Sequence, residues 1–402
     1  MNHKTPPLRF PEYDGSWREY TMGSVITPIS EVATEEDKLR LCSLTIEDGI
    51  TPKTKRYERG HLVKNDDSAY KRVKPNEFAY NPMNVRFGAV AKNNTPETVA
   101  LSRYYDTFIV NESCSSDFFH YFLSSPASLK LYNRVATGSL EEKKRVHFKE
   151  FLKHKRALPG IEEQRRVAAL FTQIDKKIAC LKESYRLLDE YKAGVIQQIM
   201  SQDIRFKDKD GKVLPSWNEE RLDFFIERVS HPVPVESESL YREIGIRSHG
   251  KGIFHKDSAC GDSIGNKRVF WVQPNALILN IVFAWERAVA VTSQDELGFI
   301  ASHRFPMYLP KEGRADVNFL LYFFLSPKGE GLLNLASPGG AGRNKTLGQS
   351  EFLKLKVCFP SLEEQQEIVQ FLKSLDFKMK TVVSQIEQTK QFKKGLLQQM
   401  FV

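Results

Sequence analysis

The chain has 402 residues, of which 41% are hydrophobic and 27% are charged. This composition is ordinary for a folded protein and leaves room for two domains with separate cores. The formal net charge of +9 and the pI of 9.1 favour a polyanionic partner such as nucleic acid. The sequence has no apolar run of membrane-spanning length, no signal-peptide pattern and no paired cysteines. We therefore expect a cytoplasmic protein with reduced thiols, no membrane association and no zinc or disulfide framework.

The head of each of two repeated units carries the same three features. An aromatic residue, an Asp-Gly turn and a tryptophan occur as Phe10, Asp14-Gly15 and Trp17, and again as Phe206, Asp210-Gly211 and Trp217. Asp-Gly favours a tight turn because glycine tolerates positive φ. The recurrence indicates a tandem duplication, which predicts two similar modules related by a pseudo-twofold axis.

The middle of each unit is predicted to combine strands, loops and one short helix. The apolar run from Ala276 to Ala284 has the length and composition of a buried strand. Asp117 and Asn318 each precede an aromatic-rich run that stops at Ser-Pro, which predicts a short buried helix with an Asp or Asn cap. A glycine-bearing loop with nearby Lys and Arg follows in both units. Such a loop allows backbone N–H groups and cations to approach phosphates closely.

Each unit closes with a predicted long helix, and here the repeat is clearest. The matching segments are Glu150-Phe151-Leu152-Lys153 with Glu351-Phe352-Leu353-Lys354, and Pro159…Glu162-Glu163-Gln164 with Pro360…Glu363-Glu364-Gln365, all at an offset of 201 residues. Apolar residues then recur at steps of three and four, which is a coiled-coil period. Lys192 and Lys393 interrupt this stripe at the same position. A helix from residue 162 to 200 would be roughly 58 Å long and unstable alone, so we expect the two helices to pair antiparallel as a rigid spacer.

Sequence signatures of catalysis are missing from the chain. It has no GxxxxGK[ST], no strand-linked GxGxxG, no HExxH and no GxSxG. Tyr80-Asn81-Pro82-Met83 is only faintly similar to the Asn-Pro-Pro-aromatic motif of amino-methyltransferases, and a turn at a strand end explains it better. His249 and His255 are six residues apart in a glycine-containing segment. We interpret them as solvated or DNA-facing rather than as metal ligands.

The combined pattern resembles the specificity subunits of type I restriction–modification systems. The residues that carry the resemblance are Pro159…Glu162-Glu163-Gln164…Asp175 and Pro360…Glu363-Glu364-Gln365…Asp376, each following a variable region and opening a long helix. The resemblance covers essentially the whole chain and implies an α+β fold. In that fold, two mixed α/β target recognition domains are separated by two long helices that pair as an antiparallel coiled coil, in a pseudo-twofold repeat. The implied boundaries are 1–157 and 205–358 for the recognition domains, with 158–204 and 359–402 for the central and C-terminal spacer helices.

The resemblance also implies a function and a set of partners. Each recognition domain would read one half of a bipartite, asymmetric double-stranded DNA target, while the helices set the gap and dock two methyltransferase subunits. Restriction (translocase) subunits would join this complex. The chain itself would be non-catalytic and without cofactors, and S-adenosylmethionine, ATP and Mg would belong to the partner subunits.

Candidate DNA-binding residues are cations or amides near predicted loops. They are Asn84, Arg86, Lys92, Arg103, Lys143, Lys144 and Arg145 in the first unit, and Arg247, Lys251, Lys267, Arg287, Arg304, Arg343 and Lys345 in the second. Loop cations of this kind engage phosphates, and a few of them read base edges. No residue is proposed as catalytic or metal-binding.

Two other functions stay open on the sequence alone. The Asn81-Pro82 pair leaves room for a self-contained DNA methyltransferase or nuclease with built-in recognition domains. The coiled-coil stripes by themselves fit a scaffold that binds only protein. Binding of S-adenosylmethionine by the purified chain would favour the first, and a lack of DNA affinity at low salt would favour the second.

Overall fold

The computed structural model of the protein describes residues 5–34, 37–53, 70–140, 143–207, 210–212, 214–339 and 345–402. The chain divides into two compact units. Unit 1 contains Met1–Lys182 and Ser384–Val402, and unit 2 contains Glu183–Val383. Because both divisions fall inside long helices, each of those helices contributes one part to each unit.

Unit 1 is a mixed α/β module. Its strands are β1 Arg18–Thr21, β2 Ile26–Ile29, β3 Glu31–Val32, β4 Arg40–Thr45, β5 Gly49–Pro52, β6 Tyr70–Val73, β7 Phe78–Tyr80, β8 Val90–Lys92, β9 Val99–Ser102, β10 Asp106–Val110 and β11 Lys155–Leu158. Its helices are α1 Met22–Val25, α2 Ser116–Leu123, α3 Pro126–Val135, α4 Phe148–Phe151 and the first part of α5 Ile161–Met200.

The strands of unit 1 form a four-stranded sheet, a five-stranded sheet and a two-stranded pair. Their orders are β2-β10-β7-β8, β3-β6-β9-β4-β5 and β1-β11. The short, aromatic-rich strands supply the core, where Phe78 and Phe108 stack with ring centroids 4.9 Å apart. Helix α2 covers this core with Phe118, Phe119 and Phe122, which are all fully buried.

Unit 2 repeats this design. Its strands are β12 Asn218–Arg221, β13 Ile226–Val229, β14 Leu240–Tyr241, β15 Ile244–Ile246, β16 Ile253–His255, β17 Ala259–Cys260, β18 Val269–Trp271, β19 Leu277–Leu279, β20 Val289–Val291, β21 Ile300–Ser302, β22 Met307–Pro310 and β23 Lys356–Phe359. Its helices are α6 Leu222–Phe225, α7 Gly261–Ile264, α8 Val317–Leu325, α9 Pro327–Leu335, α10 Gln349–Lys354 and the first part of α11 Leu362–Gln399.

The strand order of the main sheet is the same in both units. In unit 2 it is β13-β22-β19-β20, which matches β2-β10-β7-β8 strand for strand. The pair β12-β23 likewise matches β1-β11, and each pair joins the head of its unit to the strand that leads into a long helix. The predicted duplication is therefore a duplication of fold.

Two local predictions were wrong in detail. The predicted strand from Ala276 to Ala284 ends at Leu279, because the Asn280 side chain accepts a hydrogen bond from the N–H of Val282 at 3.1 Å and starts a turn. The caps of the short buried helices lie two residues earlier than predicted, at Ser115 and Asp316. In each case the side-chain oxygen of the cap accepts from backbone N–H groups of the first turn.

The two long helices pair within each unit, and there they run in opposite directions. In unit 1 the ring of Phe171 on α5 stacks on the ring of Phe401, which follows the end of α11, with centroids 5.7 Å apart. One turn later on α5, Asp175 accepts a hydrogen bond from Lys393 of α11 at 2.6 Å. In unit 2, Val195 and Ile199 of α5 share one core with Leu372 and Leu375 of α11. The antiparallel pairing predicted from the apolar stripes is therefore confirmed within each unit.

Candidate nucleic-acid interface

The motif that opens each long helix fastens the helix to its own unit. Glu163 is buried and accepts hydrogen bonds from Arg9 at 2.6 Å and from Trp17 Nε1 at 3.2 Å. Glu364 does the same with Arg205 at 2.8 Å and Trp217 at 3.2 Å. These contacts are structural, and they explain why a tryptophan at the head of each unit recurs with an acid at the helix start.

The glutamine of the motif makes a second pair of equivalent contacts. Gln164 donates to the carbonyl of Pro159 at 2.9 Å and accepts from the N–H of Ser115 at 2.9 Å. Gln365 donates to the carbonyl of Pro360 at 3.0 Å and accepts from the N–H of Asp316 at 2.9 Å. Each long helix is thus oriented rigidly against the buried helix of its module.

A patch of cations lies on unit 2 around the 3-10 helix Ala284–Glu286. Arg287 directly follows this helix, with a left-handed φ of 58°. Lys345 donates to Asn334 of α9 at 3.2 Å and lies over the Trp285 ring at 5.4 Å. The tip of the β15–β16 hairpin, residues 247–252, contacts the same turn through His249 N–H to Glu286 O at 2.7 Å. We call Arg247, Lys251, Arg287 and Lys345, all sequence-predicted, the unit 2 patch.

The equivalent surface of unit 1 surrounds the 3-10 helix Val85–Phe87. Arg86 donates to Asn133 of α3 at 3.1 Å, and Asn133 is 201 residues before Asn334. The loop after α3 closes through two backbone hydrogen bonds between Thr137 and Arg145, both 2.9 Å long. Asn84 directly precedes this 3-10 helix. We call the five sequence-predicted residues here the unit 1 patch: Asn84, Arg86, Lys143, Lys144 and Arg145.

The two patches correspond in the repeat. The N–H of Val146 donates to Pro82 O at 2.9 Å, and the N–H of Leu347 donates to Ile281 O at 2.8 Å. These bonds hold the loop after α3 and the loop after α9 against the same turn of their respective sheets. Lys144 and Lys345 are 201 residues apart and therefore occupy matching positions.

The remaining predicted residues lie away from the patches. Lys92 is buried and forms an ion pair with Asp117, so it serves the core of unit 1. Arg103 and Arg304 are exposed in the matching turns that follow β9 and β21. Lys267 is exposed between α7 and β18. Arg343 lies outside the described residues.

Within the patches, too, some cations are buried or paired with protein groups, and others are exposed and can contact a ligand. Arg86 is only 6% exposed, and Arg287 lies 3.6 Å from Glu330 and donates to Leu325 O at 3.4 Å. In contrast, Asn84, Lys143, Arg145, Arg247 and Lys251 are exposed. Sequence reasoning could not separate these groups. It missed Asn133 and Asn334, which accept hydrogen bonds from Arg86 and Lys345, and Glu286, which holds the hairpin tip. The equal spacing of the two asparagines is the signal that was available.

The two histidines noted in the sequence have different surroundings. His255 Nε2 lies 3.0 Å from Glu296 Oε1 and its ring packs on Phe299. Burial acts to raise the pKa of Glu296, but hydrogen bonds from Ser293 and His255 outweigh it and lower that pKa. His249 is exposed at the hairpin tip. Across the described ranges, no group of His, Cys, Asp and Glu side chains is arranged to hold a metal ion.

A cavity of about 290 Å³ lies in unit 1 beside the helix pair. Tyr121, Asp175 and Lys393 line it together with His120, whose Nδ1 is buried without a hydrogen-bond partner among the described residues. Burial, reinforced by the nearby ammonium groups of Lys393 and Lys92, lowers the pKa of His120 to about 4. This histidine is therefore neutral at pH 7.

Fold and site together define a duplicated protein of two mixed α/β modules, each of which carries a cationic patch and leads into a long helix. None of the helices in the described part of the chain is long and apolar enough to cross a membrane.

Comparison with known proteins agrees with this class. The Type I restriction modification DNA specificity domain matches residues 275–389. The putative type I restriction enzyme MjaX specificity subunit of Methanocaldococcus jannaschii is 21% identical over 267 residues, which are 61% of this chain and 58% of that protein. The chain thus spans little more than half the length of this relative.

Solved structures share the fold over nearly the whole chain. The S subunit of a type I restriction–modification system from M. genitalium matches with a TM-score of 0.54 at 11% identity, covering 99% of both chains. A chain from work on complex assembly and conformational transition of the type I R-M system matches with a TM-score of 0.55 at 15% identity, covering 95% of this chain and 96% of that one. The chain is therefore similar to type I restriction–modification specificity subunits, in sequence over residues 275–389 and in fold over nearly its whole length.

Proposed function

We propose that this chain is the non-catalytic, DNA-binding specificity subunit of a cytoplasmic type I restriction–modification complex. Each unit reads one half of a bipartite target in double-stranded DNA. The observation that carries the proposal is the pair of equivalent cationic patches, one on each module of a duplicated fold. Two modules with the same scaffold but different side chains suit a target with two different halves.

The chemistry of the patches supports two kinds of contact. Exposed Lys and Arg neutralise phosphates, which gives affinity that falls steeply with salt and is blind to sequence. Arg and Asn side chains aimed into the major groove distinguish base pairs by their donor and acceptor patterns. The hydrogen bonds from Val146 to Pro82 and from Leu347 to Ile281 hold the loops after α3 and α9 against their sheets. They therefore hold the nearby cations, Lys144 and Lys345, in place.

The long helices suit the role of spacer and docking surface. Helix α5 has 40 residues, which is roughly 60 Å at about 1.5 Å per residue. We propose that two methyltransferase subunits dock on the helices and that restriction subunits join them. S-adenosylmethionine, ATP and Mg would be bound by those partners.

The test is a base-resolution map of DNA methylation in the native host, with and without this gene. We expect a two-part asymmetric motif to lose its methylation when the gene is deleted. Replacing residues 1–157 by the corresponding module of another family member should change one half of the motif and leave the other intact. A map that depends on the gene but changes in both halves after the exchange would contradict independent reading by the two units.

A further inference from the structure

The tip of the β15–β16 hairpin in unit 2 is held on several sides. The N–H groups of His249 and Gly250 donate to the carbonyls of Glu286 and Arg287 at 2.7 and 3.0 Å. The Ser248 hydroxyl donates to the Glu286 carboxylate at 3.0 Å. A loop fastened in this way loses little further conformational entropy on binding.

Glycine is favoured where this tip meets α8. Gly250 has a φ of 66°, and a Cβ added there would lie 2.7 Å from a methyl carbon of Leu325. The left-handed backbone and the close approach both disfavour a larger residue at this position. The tip therefore has a defined conformation and is not a flexible solvated loop.

Arg247 stands at the base of this tip and is presented to solvent. Its guanidinium lies 4.8 Å from the centroid of the Phe254 ring, on the opposite strand of the hairpin. It has no ion-pair partner within the described part of the chain, in contrast to Arg287, which lies near Glu330. Stacking on an aromatic ring fixes the plane of the guanidinium while leaving its N–H groups available.

The matching hairpin of unit 1 has the opposite charge. Strands β4 and β5 are joined by Ile46, Glu47 and Asp48, which are all exposed. This tip sits against Gly88, the residue that ends the unit 1 3-10 helix just as Arg287 ends that of unit 2. Equivalent places in the two units therefore carry acids in one and cations in the other.

Resting on the proposed function, we propose that Arg247 reads a guanine in the half of the target that unit 2 binds. A planar guanidinium matches the O6 and N7 acceptors of guanine with two parallel hydrogen bonds. His249 and Lys251, exposed on the same tip, contact the neighbouring backbone. The acidic tip of unit 1 makes no such contact.

The test uses the methylation map of the host with variant genes at the native locus. Arg247→Ala should make one G·C pair degenerate, in the half that the exchange of residues 1–157 leaves unchanged. The preference for guanine there should fall about 5- to 150-fold. Arg247→Lys keeps the positive charge but removes the planar guanidinium with its parallel donors. The motif should therefore become degenerate at the same pair. Lys356→Ala, which removes an exposed cation of β23 outside the unit 2 patch, should leave the motif unchanged.

Purified methyltransferase complexes of each variant, titrated with duplexes that differ only at that pair, give the ratio of affinities even where overall binding is weak. An unchanged guanine preference in both Arg247 variants would overturn the inference, and so would a wild-type half-site without an invariant G·C pair. A wild-type map with no motif that depends on this gene would instead overturn the proposed function.

Discussion

At the scale of single residues, buried acids at the helix starts combine two stabilising effects. Glu163 and Glu364 lie in the first turn of their helices, where a carboxylate interacts favourably with the helix dipole. Each also accepts hydrogen bonds from an arginine and a tryptophan of the unit's head. Hydrogen bonds to a buried charge are strong, and the loss of one partner leaves the others unsatisfied.

We expect Glu364→Gln to destabilise unit 2 by about 1–3 kcal/mol, because Arg205 loses its counter-charge in a half-buried setting. Denaturant unfolding, with hydrogen exchange at the start of α11, measures the change. Glu363→Gln is the matched control, since the Glu363 carboxylate lies in the same helical turn but is exposed. Equal effects of the two substitutions would show that the helix dipole, not the buried pairing, dominates.

His120 makes the stability of unit 1 depend on pH. Its pKa is about 4 in the folded protein against about 6.5 in an unfolded chain. The unfolded state therefore binds more protons between these values, and stability is lost as the pH falls from 6.5 to 4. The shift corresponds to about 3 kcal/mol at most.

Leu321 occupies the corresponding position in unit 2, so His120→Leu is the natural comparison. We expect it to flatten the dependence of the unfolding free energy on pH between 4 and 6.5. The groups facing His120 are Lys92, Asp117, Asp175 and Lys393, and they remain in the variant. Parallel stability curves for the wild type and the variant would contradict this account.

At the scale of elements, a polar junction joins three helices in each unit. In unit 1, Asp175 of α5 accepts from Lys393 of α11 and from the Tyr121 hydroxyl of α2, at 2.6 and 2.9 Å. In unit 2, Asp376 accepts at 2.6 Å from the hydroxyl of Tyr322 and pairs with Lys192. The lysines that interrupt the apolar stripe are thus partners of the acid on the opposite helix. Because each helix has one acid and one lysine in this role, the junctions favour a single antiparallel register.

Reversing this ion pair tests its role in the register. Asp175→Lys alone should destabilise unit 1, because it places two ammonium groups together. Asp175→Lys combined with Lys393→Asp should recover part of the loss, with a coupling energy of about 0.5–2 kcal/mol in a double-mutant cycle. Strictly additive effects of the two changes would mean that the pair does not contribute.

Local patterns in the sequence predict the elements that depend on local physics. The stripes, the Pro and Glu residues at the helix starts and the 201-residue offset were enough for both long helices and the duplicated fold. The partners of Asp175 and Lys393 were not predictable, since these residues are 218 apart in the chain. For the same reason, Arg86 and Lys92 could not be distinguished from surface cations, because long-range packing decides their burial.

At the scale of the whole molecule, unit 1 is built from two distant segments. Phe401 is 3% exposed and packs among the rings of Phe118, Phe122 and Phe171. The carbonyl of Val402 accepts from Arg156 at 2.8 Å, and the carbonyl of Gln399 accepts from the N–H of Leu8 at 3.1 Å. The end of α11 and the residues that follow it therefore complete the core of unit 1.

We expect Phe401→Ala to destabilise unit 1 by about 3–5 kcal/mol, as is typical when a buried phenylalanine is truncated. Hydrogen exchange resolved by peptide should show faster exchange in unit 1, with unit 2 unchanged. Phe392→Ala on α11 is the control, because that ring is 59% exposed. Similar exchange profiles for both variants would place Phe401 outside the core.

The division of unit 1 also sets the order in which the protein forms on the ribosome. Residues 1–182 are synthesised first, yet their core lacks Phe401 until 219 further residues (401 minus 182) have been added. At roughly 5–20 residues per second, this takes on the order of 10–40 s. Unit 2 is contiguous and becomes complete at residue 383, before the last segment of unit 1 is made. Of the two units, the one whose synthesis starts first is thus the last to close, and the nascent chain needs protection for its open core during that interval.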